Sequence, residues 1–315
     1  MEADRLPSSE TGQPFHAGEI AAQERVGVRS QMEKVGRVAL RDYMPQQHRD
    51  FFPLLPTFFV GGSDDDGRLW ASLLWGEPGF MQSPDPVSLR IAASLQQDDP
   101  LTAAMQPGYA LGGLGLQFET RRRNRVNGVV SNTDAQGFTL GVQQSFGNCA
   151  KYIQTRERLP LTEERATSLT AGGATLPNAA RALIRQCDTF FIASAAGQAV
   201  DVSHRGGRPG FVQVDAQGGL MWPDFQGNNL FNTIGNLLAD GRAGLLFIDF
   251  EQGDLLHLSG RADVVWEGPQ VEGFAGAKRM LRFSPERFVF RQGALPMRWV
   301  LRESSPHLQA TASFA

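Results

Sequence analysis

The segment DVSHRGGRPGFVQVD at residues 201–215 gathers side chains suited to holding an anion. Arg205 and Arg208 offer forked guanidinium donors that match a phosphate group, and Ser203 adds a hydroxyl. The glycine pair at 206–207 would let backbone N–H groups approach such a ligand closely. A solvated hairpin turn with incidental arginines is the structural alternative. We therefore interpret the segment as a turn that could bind phosphate.

An asparagine-rich segment lies shortly after this turn. WPDFQGNNLFN at residues 222–232 runs from an aromatic strand end into a predicted helix, whose first turn presents Asn228, Asn229 and Asn232. Unpaired amides and the dipole make helix N-termini favourable places for phosphate. This second feature favours anion binding over an incidental turn.

Other chemical candidates are weaker. His204 could donate a proton to a cofactor or substrate, or it could cap a neighbouring carbonyl in the turn. The run RRRNR at residues 121–125 is interpreted as a solvated hairpin tip, with a phosphate-binding patch as the alternative. Lys151 could reach a ligand or lie in a surface connector. Because no Ser-His-Asp order, carboxylate pair or metal-ligand spacing is present, we assign no catalytic residue and predict no metal.

Composition limits the possible partners. The 315 residues carry a net charge of -3, with 41% hydrophobic and 20% charged residues, as in ordinary soluble proteins. We therefore expect neither nucleic acid nor membrane as a partner, and a cytoplasmic location. Cys149 and Cys187 are predicted to be free thiols, with a reactive thiol at Cys149 as the alternative.

The two halves of the chain resemble each other. FFVGGSDDDGRLWASLLWGEPGF at residues 58–80 corresponds to FFIASAAGQAVDVSHRGGRPGF at 190–211, and residues 115–130 correspond to 244–265. The offset stays near 130 residues, which predicts a duplicated domain. The matched landmarks are Phe58 with Phe190, Pro78 with Pro209, Phe118 with Phe247 and Gly128 with Gly260.

The elements around these landmarks are mostly strands. Short apolar and aromatic runs bounded by Gly, Asp and Asn turns predict antiparallel sheets or barrels, with helices near the N-terminus and in LTEERATSLTA. We predict a mainly β protein with flanking helices (α+β). The expected organisation is an N-terminal helical extension at 1–40, a first domain at 41–157, a helical linker at 158–185, a second domain at 186–305 and a tail at 306–315. Residues 1 to about 13 and the tail are expected to be mobile.

This arrangement resembles the pyridoxamine 5'-phosphate oxidase-like family of FMN-binding split barrels. The resemblance is best in residues 201–214 and 222–250, and extends to ETRRRNRVNG and GNCAKYIQ. It is similar to the branch with two tandem units in one chain, opened by a segment like PFHAGEIAAQERVGV. The resemblance implies FMN at a barrel edge, with the second unit carrying the site.

The resemblance also implies a set of cofactor-binding residues. Ser203, Arg205 and Arg208 would hold the phosphate, and Phe211 and Val212 would lie on the strand beneath the flavin ring. The remaining candidates are His204, Trp222, Pro223, Asp224, Phe225, Asn228, Asn229, Asn232 and Lys151. The first copy has Leu73, Leu74, Trp75 and Glu77 where the second has Ser203, His204, Arg205 and Gly207, so we expect one flavin per chain.

The implied function is that of an FMN-binding oxidoreductase. It would transfer hydride or electrons between an external reduced donor and a small-molecule acceptor or oxygen. The alternative is a non-catalytic flavin- or haem-binding split-barrel sensor or carrier. We expect the two copies to pack as an internal pseudo-dimer, and further homodimerisation stays open.

Overall fold

The computed structural model describes residues 13–159 and 169–314. Within these ranges the chain forms six α-helices and seventeen β-strands. The helices are α1 (Ala17–Arg25), α2 (Arg29–Ala39), α3 (Gln46–Arg49), α4 (Asn178–Gln186), α5 (Asn232–Ala239) and α6 (Pro269–Glu272). The strands of the first half are β1 (Thr57–Ser63), β2 (Leu69–Trp75), β3 (Met81–Asp85), β4 (Ser88–Ile91), β5 (Ala110–Gln117), β6 (Arg122–Asp134), β7 (Gly137–Gly147) and β8 (Thr155–Leu159). Those of the second half are β9 (Leu169–Gly173), β10 (Thr189–Ala196), β11 (Ala199–Gly206), β12 (Gln213–Val214), β13 (Leu220–Phe225), β14 (Arg242–Ile248), β15 (Leu255–Val265), β16 (Ala277–Gln292) and β17 (Arg298–Glu303).

Two antiparallel sheets of the same topology follow each other along the chain. The first has the strand order β2-β1-β5-β6-β7-β4-β3, and the main path of the second is β11-β10-β14-β15-β16-β13-β12. Adding nine to each strand number of the first order gives the second. The predicted mainly β fold with two tandem sheets and flanking helices is therefore confirmed. We call these sheets, with their loops, the first and second units.

Strand register corrects one of the predicted landmark pairs. Phe58 pairs with Gly115 in the first unit, and Phe190 pairs with Phe247 in the second. Gly115, and not Phe118, is therefore the counterpart of Phe247. The sequence match was misled because both segments contain a Phe near the end of an apolar run.

The alignment of β2 with β11 was also wrong, by one residue. Phe58 pairs with Leu74, and Phe190 pairs with Arg205. Leu74 is therefore the counterpart of Arg205, and Ser72 is the counterpart of Ser203. A shift of one residue moves every side chain to the other face of a strand, so the correction decides which residues face the same site.

The units pack closely against each other at equivalent points. A Cβ added to Gly112 on β5 would lie 2.8 Å from the carbonyl oxygen of Val200 on β11. A Cβ added to Gly244 on β14 would lie 2.4 Å from the Cα of Trp70 on β2. Glycine at both positions lets backbone of one unit approach backbone of the other. A shared apolar cluster lies between the units, separate from the core of each unit.

The N-terminal helices form as predicted. At the start of α1, the His16 side chain accepts from the backbone of Gly18 while the Glu19 carboxylate accepts from the backbone of His16, which is a capping box. The helix packs against α5 so closely that a Cβ on Gly18 would lie 2.1 Å from the carbonyl oxygen of Gly235. The N-terminal extension is thereby placed beside the second unit.

The predicted helical linker at 158–185 contains most of α4 (Asn178–Gln186) but also a strand, and the predicted mobile tail is hydrogen-bonded to the second unit. Residues 169–173 of the linker form strand β9, which pairs with β16, while the rest of the predicted LTEERATSLTA helix lies largely at 160–168, outside the described residues. The tail is held in place, since the Phe314 N–H donates to the Gly210 carbonyl at 2.9 Å and Leu308 is buried. The predicted mobility of the N-terminus falls mostly on residues 1–12, which are also outside the described residues. No described helix has the length and apolar character needed to cross a membrane.

Candidate anion-binding site

A pocket lined by four arginines opens between the two units. Arg123 and Arg125 come from β6 of the first unit, whereas Arg205 on β11 and Arg279 on β16 come from the second. The loop before α5 and the start of that helix complete its wall, and the empty volume is about 570 Å³. We call this cavity the arginine pocket.

Arg125 crosses from the first unit into the second. Its Nη1 lies 3.1 Å from the Asp201 carboxylate and donates to Asn232 Oδ1 at 2.9 Å, while its Nη2 donates to Ser203 Oγ. The Ser203 hydroxyl also bonds Thr233 Oγ1 at 2.7 Å. Strand β11 and helix α5 of the second unit are thus joined to the first unit through one buried guanidinium.

Asp224 lies between Arg205 and Arg279, the two arginines that the second unit contributes to the pocket. Its Oδ1 accepts from Arg205 Nη1 at 2.7 Å, and its Oδ2 lies 3.2 Å from Arg279 Nε. The Arg279 guanidinium also stacks over Phe231, with its Cζ 4.8 Å from the ring centroid. Asp224 therefore positions two cations at the rim of the pocket.

The charges in this pocket do not balance. Four guanidinium groups face two ion-paired carboxylates, Asp201 and Asp224, which leaves two positive charges. Arg123 has no carboxylate partner among the described residues, and its Nε donates to the Cys149 carbonyl at 2.8 Å. Burial, together with the charges of Arg125 and Arg205, lowers the pKa of Arg123 to about 10, so it remains cationic at neutral pH.

Several buried donors around the pocket lack partners. In the described parts of the chain, six nitrogen atoms of its lining side chains are buried without a hydrogen-bond partner. They are Arg125 Nε, Asn148 Nδ2, His204 Nε2, Arg205 Nε, Arg279 Nε and Arg279 Nη1. Because an unpaired buried donor costs about 1 to 3 kcal/mol, this clustering indicates a site built for an acceptor-rich ligand.

The loop leading into α5 has an unusual backbone. Asn229 and Phe231 adopt φ values of 60° and 65°, and the helix begins at Asn232. Asn228 Oδ1 accepts from the Leu230 N–H at 3.2 Å. Asn228 and Asn229 thus lie in the loop, about one turn before the observed helix start at Asn232 and not in the first helical turn as predicted, and both line the pocket.

His204 is buried on β11 and packs edge-on against Phe191, with ring centroids 5.7 Å apart. Burial and the charges of Arg123, Arg156 and Arg205 lower its pKa well below the usual value. The imidazole is therefore neutral at physiological pH and offers one donor and one acceptor. It does not cap a carbonyl in a turn, as one interpretation of the sequence had it, because β11 extends through residue 206.

The structure brings most of the predicted residues together. Eight of them line the arginine pocket: Ser203, His204, Arg205, Asp224, Phe225, Asn228, Asn229 and Asn232. Lys151, Phe211 and Pro223 line a smaller adjoining cavity of about 430 Å³. This cavity, which we call the side pocket, shares Arg123 and His204 with the arginine pocket.

Three predicted residues lie elsewhere. Arg208 donates through Nε to the Leu308 carbonyl at 3.0 Å, which directs it to the C-terminal segment. Trp222 and Val212 are buried in the core of the second unit, and Phe211 and Val212 precede β12 instead of lying on it. These apolar side chains, which the sequence suggested would lie beneath the flavin ring, pack in the core of the second unit.

The glycine pair serves packing and not ligand access. The Gly207 N–H donates to the Asp188 carbonyl at 3.0 Å, and a Cβ on Gly206 would lie 1.9 Å from the Tyr152 carbonyl oxygen. The predicted contact of the Gly207 amide with phosphate is therefore wrong, since this amide already donates within the protein. The anion-binding character of this segment comes from side chains on strand β11.

Sequence reasoning gave Arg279 no role, and it gave Arg123 and Arg125 one only in the alternative interpretation of the RRRNR run as a phosphate-binding patch. The RRRNR run was interpreted as a solvated hairpin tip, but it opens the long strand β6, where Arg122 is exposed and Arg125 is buried. Alternation of side chains along a strand places Arg123 and Arg125 on the same face. That spacing of two was the available signal, whereas nothing around Arg279 distinguishes it in the sequence.

The equivalent position in the first unit is filled by the chain itself. Ser72, the counterpart of Ser203, donates to the Asp99 carboxylate. Arg291 from β16 reaches the same carboxylate at 3.2 Å and Asp98 at 2.7 Å. Two carboxylates of the loop between β4 and β5 thus occupy the place that corresponds to the arginine pocket.

Comparisons with known proteins find a family match in the second half of the chain. Residues 176–301 match the family model described as pyridoxamine 5'-phosphate oxidase. No curated protein matches the chain. HupZ from Group A Streptococcus is 12% identical, with 42% of this chain and 98% of that chain covered and a TM-score of 0.30.

Two further solved structures are similarly distant. A putative pyridoxamine 5'-phosphate oxidase from Listeria innocua is 14% identical, covering 34% of this chain and 91% of that chain, with a TM-score of 0.28. The heme storage protein HutZ from Vibrio cholerae is 14% identical, covering 38% and 95%, with a TM-score of 0.29. The predicted resemblance to the pyridoxamine 5'-phosphate oxidase-like family is thus confirmed for residues 176–301, which the family model matches.

Proposed function

We propose that the chain binds one FMN, with the flavin phosphate in the arginine pocket. The observation that carries the proposal is the coincidence of buried arginine and asparagine donors that lack a hydrogen-bond partner with a surplus of two positive charges. A phosphate monoester carries about 1.5 to 2 negative charges at pH 7 and three strong acceptor oxygens. Both its charge and its acceptors match what the pocket lacks.

The residues of both units would share the work of binding. Arg123 and Arg205 face the pocket from opposite units and would pair with the phosphate, while Asp224 holds Arg205 in place. Asn228 and Asn229 would donate from the loop before α5. The neighbouring side pocket, with Tyr152 and Phe225 in its wall, adds aromatic surface for a flat ring.

Bound there, FMN would supply hydride or electron transfer between an external reduced donor and a small acceptor. The protein would bind and orient it, and the neutral His204 would offer a hydrogen bond without carrying charge. We propose oxidoreductase activity on this basis. A haem carrier or sensor is the alternative, since His204 Nε2 is buried and unpartnered, but four guanidiniums favour an anionic group over an apolar macrocycle.

A matched pair of ligands tests the proposal. The protein is titrated with FMN and with riboflavin, which has the same ring and no phosphate, and binding is followed by flavin fluorescence. We expect FMN to bind at least about a hundredfold more tightly, since two charge-assisted bonds contribute about 1.5 to 3 kcal/mol each. Equal affinities would refute a phosphate site.

The absorption spectrum of the purified protein separates the alternatives. A flavin spectrum supports the proposal, whereas a haem spectrum with no FMN binding supports the carrier. Reduction of the bound flavin by NADPH, followed by turnover of an added acceptor, would then distinguish an enzyme from a binding protein.

A further inference from the structure

A second large cavity lies beside the arginine pocket, on the far side of the Arg125–Asp201 ion pair. It has an empty volume of about 1080 Å³ and is bordered by α1, α5, β6, β7 and the β10–β11 hairpin. Asp201 and Asn232 line it, and Asn232 lines the arginine pocket as well. We call it the amide pocket, after the asparagine and glutamine side chains in its wall.

The amide pocket has the opposite hydrogen-bonding character to the arginine pocket. The three asparagines in its wall already donate within the protein: Asn127 to Gln144 at 3.1 Å and to Asp201 at 3.3 Å, Asn232 to Glu19 at 2.6 Å, and Asn236 to Ser194 at 3.0 Å. In contrast, Gln143 Oε1 is buried without a hydrogen-bond partner. The wall therefore offers one buried acceptor, Gln143 Oε1, that the described residues do not use.

The rest of the lining determines what else the ligand must be. Much of the wall is small and apolar, including Ala17, Ala196, Ala199 and Val200. The carboxyl groups of Glu19 and Asp201 also line it, and none of its described lining residues is an arginine or lysine. The cation paired with Asp201, Arg125, lines the arginine pocket instead, so an anion in the amide pocket would meet carboxyl groups and no cation in the wall, which is unfavourable in a partly desolvated site.

We infer that the amide pocket binds a small, mostly apolar organic molecule that carries an N–H donor and no negative charge. The donor would bond Gln143 Oε1, and the apolar part would lie against the alanines of the hairpin and α1. The inference goes beyond FMN binding, because it concerns a separate cavity whose lining excludes the phosphate. The Arg125–Asp201 ion pair separates the amide pocket from the arginine pocket.

Benzamide and benzoate make a matched pair of probes because they have nearly the same shape. Benzamide carries a neutral amide with an N–H donor, whereas benzoate carries a negatively charged carboxylate. Binding of each is measured by ligand-observed NMR, on protein with and without FMN. We expect saturable benzamide binding in both forms, and benzoate binding at least about tenfold weaker. Absence of benzamide binding, or equal binding of the two probes, would overturn the inference.

Two variants locate the site. Ala199→Phe fills the cavity and should abolish benzamide binding, while Ala216→Phe, at an exposed turn, should leave it unchanged. Gln143→Leu removes the unpaired acceptor and should weaken binding about threefold to tenfold. Thermal melting checks folding, and if Ala199→Phe fails to fold, Gln143→Leu decides. Unchanged benzamide binding in folded Ala199→Phe or in folded Gln143→Leu would show that the ligand binds elsewhere and would refute the assignment.

Discussion

The ring of Phe59 stacks on the ring of Phe191, with centroids 3.6 Å apart and planes inclined by 14°. The two residues occupy the same position in their units, because Phe59 pairs with Leu73 and Phe191 pairs with His204. Contacts between equivalent residues are the mark of an isologous interface. We therefore propose that the two units form an internal pseudo-dimer, with this stack at its centre.

Removing one ring of this stack should destabilise the whole chain. Phe191→Ala is expected to lower the free energy of unfolding by about 3 to 5 kcal/mol, since the ring is fully buried between the units. Urea unfolding followed by tryptophan fluorescence measures the change, with Leu238→Ala at an exposed position as the control. A loss below about 1 kcal/mol would show that the interface contributes little.

Arg205 and Arg208 should differ in their effect on FMN binding. Arg205 lines the arginine pocket, whereas Arg208 is bonded to the Leu308 carbonyl. We expect Arg205→Ala to weaken FMN binding at least about tenfold and Arg208→Ala to change it by less than about twofold. Fluorescence titration of both variants provides the measurement, and similar losses in the two would mean that the phosphate lies nearer Arg208.

Protonation of Glu19 should make stability depend on pH. Burial raises the pKa of Glu19 from its usual 4.5 to about 7, so the folded protein holds a proton there that the unfolded chain releases. Its contribution to stability is fully present below about pH 4.5 and is lost as pH rises through about 7, by roughly 3 kcal/mol. Urea unfolding at several pH values should show this fall in the wild type and a smaller one in Glu19→Gln. Parallel pH profiles would contradict it.

The chain should bind one FMN and not two. The place in the first unit that corresponds to the arginine pocket holds Asp98 and Asp99 against Arg291, and the described loop there contains no counterpart of α5. Titration of a known protein concentration with FMN should therefore saturate at one equivalent. Saturation at two equivalents would show that these carboxylates can be displaced.

Local patterns in the sequence predicted the strands, the N-terminal helices and the tandem arrangement, because alternation and turn residues act over short distances. The cluster around Ser203 and Arg205 was found in the same way, since the chemical types stand close together in the chain. Its helix start was placed too early, at Asn228, because φ values above zero at two non-glycine residues are not readable from residue type.

The predictions that were wrong concern contacts between segments that are distant in the sequence. Arg125 and Ser203 are in contact only because β6 and β11 lie on facing units. Arg208 was predicted to bind phosphate together with Arg205, but in the structure it donates to the Leu308 carbonyl of the C-terminal segment. Register errors have a similar origin. The offset between copies varies with loop length, and a single residue exchanges the two faces of a strand.

The arginine pocket limits how the protein can be divided. The family match begins at residue 176, yet Arg123 and Arg125 lie on β6, far upstream of it. A fragment trimmed to the matched residues would keep two of the four guanidiniums and would expose Asp201 without its partner. The second unit by itself therefore lacks one wall of the arginine pocket. The first unit, whose own equivalent position is filled by Asp98 and Asp99, supplies that wall.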